Sequence, residues 1–267
     1  MKILVIGGGN MGLTYAQSFL NSHIVTHDQM LILEKSMSKA EGLKKLNIGT
    51  VYGEPGDYVE KADLIILAVK PQDIDDLFDK IKGYINEQQV VISIMAGVEM
   101  ATIAEAIGTK KIIRAMPNLP AQIGVGMTVF TSSNEVTRIE LVTVQNLLNA
   151  TGKTIYVEDE KMINAATAIS GSGPAYIFYY MQSMIESAME MGFNQSEAEL
   201  LSYQTFKGAV ESFKKFDFTC EEWIQKVASK GGTTEAALNS FNGNEVNQNL
   251  KDGYQAALER AKELSDK

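Results

Sequence analysis

The chain has 267 residues, of which 45% are hydrophobic and 21% are charged, and its formal net charge is -9 at pH 7. This length favours two domains, and the composition is typical of an ordinary globular protein. The acidic balance, the lack of a dense lysine or arginine run and the lack of a long apolar run argue against nucleic-acid and membrane partners, so a small-molecule ligand is expected.

The cysteine and histidine content narrows the possible chemistry. Cys220 is the only cysteine, so no internal disulfide can form, which fits a reducing cytoplasm. The two histidines, His23 and His27, lie in a polar segment and pair with no nucleophile or metal-ligand pattern. We therefore expect neither a metal site nor a histidine base.

Short apolar runs alternate with helical patterns in the first 160 residues. This alternation predicts βαβ units and a mostly parallel sheet that is covered on both faces. The predicted strands are KILVIG (2–7), MLILEK (30–35), DLIILAVK (63–70), QVVISIM (89–95), KIIRAM (111–116), GMTVFT (126–131) and KTIYVED (153–159).

A glycine-rich turn separates the first predicted strand from the first predicted helix. Gly7 permits a tight turn, Gly9 lets the backbone approach a pyrophosphate, and Gly12 lets helix and strand pack closely. Asn10 and Met11 open the helix, whose free N–H groups attract phosphate. Chance glycines are the alternative, but the strand-turn-helix context favours a Rossmann-type dinucleotide site.

An acidic residue at the end of the second predicted strand bears on the choice of cofactor. Glu34 can accept hydrogen bonds from ribose hydroxyls and would repel a 2′-phosphate, which slightly favours NADH. Lys35, Ser36, Ser38 and Lys39 follow directly and could bind that phosphate instead. The sequence therefore leaves both NADH and NADPH open.

The ends of the later strands are expected to line the cofactor crevice, because ligands bind there in open parallel sheets. A plain crossover loop is the alternative for the proline-rich turn, and ordinary packing is the alternative for the methionine. The predicted cofactor-binding residues in these segments are Ala68, Val69, Lys70 and Pro71, then Met95, Ala96 and Gly97, and finally Asn118.

The apolar period changes from 2 to 3.6 near residue 160. We therefore predict a dinucleotide-binding α/β domain over residues 1–160 and an all-helical domain over residues 161–267. The long helix from Gly173 carries aromatic and methionine side chains around most of its circumference. It is either a core helix of one chain or a subunit interface, and the interface is favoured.

The segment SKGGTTEAALNSF (229–241) places two glycines before an amphipathic helix. A generic cap with Thr233 as the N-cap residue is one interpretation. The other is that Gly231 and Gly232 expose consecutive N–H groups as a nest for an anion, which a carboxylate substrate would fit.

Five segments together resemble the pyrroline-5-carboxylate reductase family: IGGGNMG, AVKPQ, RAMPNLPAQIGVGMT, AISGSGPAYIF and VASKGGTTEAAL. The last two are the most discriminating. The resemblance implies a Rossmann-type N-terminal domain joined to an all-α C-terminal dimerisation domain. It also implies NAD(P)H-dependent reduction of 1-pyrroline-5-carboxylate to L-proline in homodimers or larger assemblies of dimers.

The resemblance also implies a substrate site at the GGTT turn. Backbone amides around Gly232, Thr233 and Thr234 would bind the carboxylate, with Ser229 and Gly231 in the same turn, and the Thr234 hydroxyl would contact the ring nitrogen as the catalytic group. A protonated imine is already electrophilic, so hydride transfer needs orientation more than a strong acid.

This chain departs from the family at three positions that bear on ligand binding, one of which is Met95, where the family often has a smaller residue and where the longer side chain could narrow the substrate pocket. Lys230 stands where the family usually has proline, and Pro55 lies close to a position where the family commonly has an asparagine that resembles a cofactor contact.

Two other functions share parts of this pattern. A β-hydroxyacid reductase would place a lysine on the long helix near Gly173, where this chain has none. A non-catalytic dinucleotide sensor could lose the GGTT turn, which this chain retains.

Overall fold

A computed structural model describes residues 1–265, which form eight strands and eleven α-helices. The strands are β1 (Ile3–Ile6), β2 (Met30–Leu33), β3 (Thr50–Tyr52), β4 (Leu64–Leu67), β5 (Val90–Ser93), β6 (Ile112–Met116), β7 (Gly126–Ser132) and β8 (Gly152–Tyr156). The helices are α1 (Asn10–Asn21), α2 (Met37–Lys45), α3 (Ile74–Ile81), α4 (Met100–Ile107), α5 (Arg138–Asn149), α6 (Met162–Ala166), α7 (Gly173–Glu190), α8 (Gln195–Lys215), α9 (Cys220–Val227), α10 (Thr233–Gly243) and α11 (Val246–Ser265).

The strands form a single sheet in the order β3-β2-β1-β4-β5-β6-β7-β8. All neighbouring pairs are parallel except β6 and β7, which confirms the predicted mostly parallel sheet. The short edge strand β3 was not predicted. It has only three residues, all at least partly exposed, and therefore lacks the continuous apolar run that marks the central strands.

The central strands are buried because helices cover both faces of the sheet. Along β1, Ile3 and Val5 point into one apolar cluster, whereas Leu4 and Ile6 point into the other. This alternation is the two-residue period of an extended strand. Side chains of α1, α2 and α5 fill the first cluster, and those of α3 and α4 fill the second.

The described chain divides into two compact units. The first is Met1–Ser172 together with the end of α11 from Ala257 onward, and the second is Gly173–Ala256. The first unit extends beyond the predicted domain 1–160, because Ile163 and Ala166 of α6 pack against Met116 and Val129 of the sheet. A π-helical turn, Thr167–Gly171, then links α6 to α7.

The second unit contains α7 to α10 and the first part of α11. Helices α8 and α9 each begin with a capping box, formed by Asn194 with Glu197 and by Thr219 with Glu222. No residue of α7 is buried, and Phe178 and Tyr179 are 61% and 71% exposed. The alternative of a core helix within one chain is therefore wrong, and an apolar helix left this open is typical of a surface that pairs with another protein.

None of the helices in residues 1–265 is long and apolar enough to cross a membrane.

The start of α5 offers a direct test of local stability. The Thr137 hydroxyl accepts from the Glu140 N–H, and the Glu140 carboxylate accepts from the Thr137 N–H at 2.8 Å. We expect Thr137→Ala to lower the free energy of unfolding by about 1 kcal/mol, because the helix loses its cap. Thr143→Ala, within the same helix, is the control. Equal losses in urea denaturation of the two variants would contradict the capping role.

Candidate active site

The sheet order reverses at β1, which lies between β2 and β4. This arrangement opens a crevice at the carboxyl ends of these strands, where ligands bind in folds of this type. Gly7 follows β1 with a φ of +103°, and a Cβ there would lie 2.6 Å from the Ala68 carbonyl oxygen. A Cβ at Gly12 would overlap the Gly7 carbonyl oxygen. Both glycines therefore have structural reasons for lacking a side chain.

Gly9 lacks a side chain for a different reason. It is the N-cap residue of α1, its φ of -74° suits any residue, and a Cβ there would meet no atom within 4 Å. The start of α1 has no side-chain cap, so the first N–H groups of the helix have no side-chain partner. An open cap of this kind fits a pyrophosphate, because its donors and the helix dipole both favour an anion.

A cavity of about 240 Å³ lies at the ends of β1, β2 and β4. Seven of the predicted cofactor-binding residues line it: Gly7, Gly9, Glu34, Lys35, Ala68, Val69 and Lys70. Lys39 and Pro55 also line it, as do residues that the sequence analysis did not select: Ile6, Leu33, Gly53, Glu54, Asp73, Asp76, Leu77 and Lys80. Its wall is thus apolar at the strand ends and charged at the β2 and β4 loops.

Glu34 is buried beneath the glycine turn. Its Oε2 accepts from the Gly8 N–H at 2.9 Å, and its Oε1 accepts from the Ser36 N–H at 2.8 Å. The carboxylate therefore ties the turn after β1 to the turn after β2. Each oxygen retains a lone pair, so acceptance from a ribose hydroxyl remains chemically possible.

Charged side chains meet at the outer part of the cavity. The Lys35 Nζ lies 2.6 Å from the Asp73 Oδ1, and the Lys80 Nζ lies 3.0 Å from the Asp76 Oδ2. The hydrogen bond between Lys35 and Asp73 raises the pKa of the lysine and lowers the pKa of the aspartate. The lysine that follows Glu34 is therefore already paired with a carboxylate of the chain.

The other predicted cofactor residues lie in the same unit but do not line this cavity. Asn10, Met11 and Gly12 form the first turn of α1, and Pro71 starts the 3-10 turn that precedes α3. The Met95 side chain is 2% exposed and packs in the second apolar cluster, as the packing alternative predicts.

Ala96, Gly97 and Asn118 have partners within the first unit. Ala96 packs against the small apolar cluster around Met116. Gly97 has a φ of +72°, and a Cβ there would lie 2.7 Å from Leu264 near the end of α11. The Asn118 amide donates to the Ser170 carbonyl at 3.0 Å and accepts from the Met127 N–H at 2.9 Å. These three residues therefore have a packing or hydrogen-bonding role within the protein, whether or not they also contact a bound cofactor.

The GGTT turn lies in the second unit, and it brings Ser229, Gly231, Gly232, Thr233 and Thr234 together. The N-cap residue of α10 is Gly232, without a side-chain cap, so Thr233 is not the cap that the generic interpretation predicted. Gly231 has a φ of +75°, which favours glycine, and a Cβ at Gly232 would lie 2.5 Å from the Ser229 hydroxyl oxygen.

Two of the amides in this turn are engaged internally. The Gly232 N–H donates to the Ser229 carbonyl at 2.9 Å, and the Gly231 N–H donates to the Glu235 carboxylate at 2.7 Å. The chain thus places one of its own carboxylates on the turn. The N–H groups of Thr233 and Thr234 follow at the helix start, where no side chain caps them.

No group of three or more histidine, cysteine, aspartate or glutamate residues in the described part of the chain is arranged to hold a metal ion.

The sheet order and the glycine turn after β1 together define a Rossmann-type dinucleotide-binding protein. A family model described as pyrroline-5-carboxylate reductase dimerisation matches residues 160–264, and one described as NADP oxidoreductase, coenzyme F420-dependent, matches residues 2–97. A pyrroline-5-carboxylate reductase from Pasteurella multocida is 33% identical over 268 residues, covering 98% of this chain and 97% of that protein. The chain therefore belongs to the pyrroline-5-carboxylate reductase family, which confirms the resemblance.

Two solved structures show the same fold. A pyrroline carboxylate reductase from Plasmodium falciparum with NADP bound has a TM-score of 0.90 and 28% identity, covering 99% of this chain and 98% of that chain. A pyrroline-5-carboxylate reductase from Coxiella burnetii has a TM-score of 0.89 and 31% identity with the same coverage. The predicted Rossmann-type domain followed by a helical dimerisation domain is thereby confirmed.

Proposed function

We propose that the chain catalyses the last step of proline biosynthesis, the reduction of 1-pyrroline-5-carboxylate to L-proline. In this reaction the C=N bond of the ring becomes a single bond, as a hydride adds to the ring carbon and a proton is carried on the ring nitrogen. NADH or NADPH, when bound, would supply this hydride. The protein supplies orientation and charge complementarity.

The first unit offers residues that fit this cofactor. The cap at Gly9 leaves open space beside the unpartnered start of α1, and we propose that the pyrophosphate binds there. Glu34 fixes the turn that carries these donors through its bond to the Gly8 N–H. Ala68, Val69 and Lys70 also line the cavity.

The observation that carries the proposal is the carboxylate held by the GGTT turn. The Gly231 N–H donates to a carboxylate oxygen of Glu235 at 2.7 Å, which supports the affinity of this turn for a carboxylate. The substrate carboxylate is chemically similar, and we propose that it binds the free N–H groups at the start of α10, with the Ser229 hydroxyl nearby. This position leaves Thr234 to hydrogen-bond the ring nitrogen.

We propose NADH as the preferred cofactor. Glu34 adds negative charge beside the ribose site, and Asp73 already pairs with Lys35, the first cation after Glu34. A 2′-phosphate would therefore be repelled by the buried Glu34 carboxylate, and Lys35 would attract it only weakly because Asp73 already neutralises that lysine.

We further propose that the chain works in the cytoplasm as a homodimer, or as a larger assembly of dimers, formed through the helical unit. The exposed apolar side chains of α7 and the match to a dimerisation model over residues 160–264 support this assembly.

Initial-rate kinetics with 1-pyrroline-5-carboxylate test the proposed function. We expect oxidation of both reduced nicotinamides, with kcat/KM for NADH higher by about twofold to fivefold, because an exposed ion pair contributes at most about 1 kcal/mol. The loss of reduced-nicotinamide absorbance and the appearance of proline are the readouts. Folded protein that binds either cofactor but forms no proline would instead indicate a dinucleotide-binding relative without this activity.

A further inference from the structure

The cavity contains an ion pair that the fold does not require. Lys35 follows β2 and Asp73 lies in the turn before α3, so their 2.6 Å contact links two loops across the cavity wall. Both side chains are exposed, at 67% and 39%, so the pair adds little to stability. A weak pair of this kind can exchange partners when a competing anion arrives.

The position of this pair gives it a role in ligand choice. In dinucleotide-binding folds an acidic residue at the carboxyl end of the second strand hydrogen-bonds the 2′-hydroxyl of the adenine ribose, and Glu34, directly after β2, occupies this position. Lys35 is the next residue along, and Lys39 and Lys70 line the same cavity. Lys80 also lines the cavity, so these four lysines are the cavity cations that a 2′-phosphate could meet.

Asp73 acts on more than one of these lysines. Its pKa is lowered first by the hydrogen bond from Lys35 and also by the charges of Lys35, Lys70 and Lys39. Asp73 therefore reduces the positive field of these lysines, in addition to Glu34, Glu54 and Asp76, which also line the cavity. The ribose hydroxyl of NADH carries no charge and does not compete for Lys35.

Resting on the proposed use of a nicotinamide cofactor, we propose that Asp73 is a specificity-determining residue that disfavours NADPH by occupying Lys35. Binding of NADPH requires the 2′-phosphate to displace Asp73 from Lys35 and to tolerate its repulsion, whereas binding of NADH leaves the pair intact. Selectivity then arises from a repulsive group as well as from an attractive one.

The test is direct titration of cofactor binding, without substrate, followed by the fluorescence of the reduced nicotinamide. We expect Asp73→Asn to bind NADPH about threefold to fivefold more tightly, because the 2′-phosphate no longer has to displace an exposed ion-pair partner from Lys35. The affinity for NADH should stay within about twofold of that of the parent protein. Initial rates with both cofactors should show the same change in ratio.

Asp76→Asn is the matched control. Asp76 lines the same cavity and pairs with Lys80 at 3.0 Å, so its neutralisation changes the net charge equally without releasing Lys35. We expect this variant to keep the parent selectivity. If both variants favoured NADPH equally, the general field of the cavity would be responsible and the role of Asp73 would be disproved.

A double-mutant cycle isolates the contact itself. In a Lys35→Gln background, Asp73→Asn should no longer tighten NADPH binding, because there is no lysine to release. A gain that persists in that background would overturn the inference. Failure of the parent protein to bind either cofactor would instead overturn the proposed function, whereas binding of both with selectivity unchanged in Asp73→Asn would overturn this inference alone.

Discussion

Gly9→Val is expected to weaken the binding of NADH and NADPH by about 10-fold to 100-fold, because forcing extra methyl groups into occupied space costs about 1–3 kcal/mol. The loss of affinity would come from a clash with the bound cofactor and not from a clash within the protein. A Cβ at Gly9 meets no protein atom within 4 Å, and its backbone angles suit valine. The added branches would instead project into the space where the pyrophosphate approaches the start of α1.

Because no protein atom lies close to Gly9, the substitution should change cofactor binding without changing stability. The melting temperature of Gly9→Val should remain within a few degrees of the parent value, and Gly9→Ala should give a smaller loss of affinity. Gly12→Ala provides the contrast, because a Cβ at that position overlaps the Gly7 carbonyl and should reduce stability. Normal cofactor affinity in a folded Gly9→Val protein would remove the glycine turn from the cofactor site.

Thr234→Ala is expected to lower kcat by about 100-fold, the usual loss when one positioned donor is removed from a reacting centre. Thr234 lies in the first turn of α10, two residues after the N-cap Gly232. Its hydroxyl is the group that we propose for the ring nitrogen, whose charge changes as the hydride adds. Cofactor affinity, measured by titration without substrate, should be unchanged.

The neighbouring threonine supplies the matched control for this second variant. Thr233→Ala removes an equivalent hydroxyl one residue earlier in the same helix turn, where the side chain is exposed. It should retain most of the activity, and Thr234→Ser should restore much of what Thr234→Ala loses. Equal activity of the parent and Thr234→Ala proteins would exclude Thr234 from the site.

The sequence predicted the parts of the fold that depend on local pattern. The apolar runs identified β1, β2 and β4 to β8 because these strands are continuous enough to be recognised without their partners. The glycine spacing identified the turn after β1, and the change of period identified the start of the helical region. These features are each contained within about twenty residues of chain.

Features that join distant residues could not be read in this way. Lys35 and Asp73 are 38 residues apart, and nothing in either segment indicates that they pair. The sequence also contains no sign that the Glu34 carboxylate accepts from the Gly8 and Ser36 N–H groups. The prediction of Glu34 as a ribose acceptor therefore omitted its role in fixing two turns. The engagement of Gly231 by Glu235 was closer in sequence but depended on a side-chain conformation.

The return of the last helix to the first unit affects the order in which the protein can be completed. A nascent chain of 172 residues contains all eight strands and the glycine turn, but it lacks the segment from Ala257 onward. Leu264 covers Gly97 after β5, and Ser265 donates to Asn164, which also accepts from the buried Arg114. The nucleotide-binding unit therefore acquires its final packing only after the segment from Ala257 to Ser265 has been synthesised.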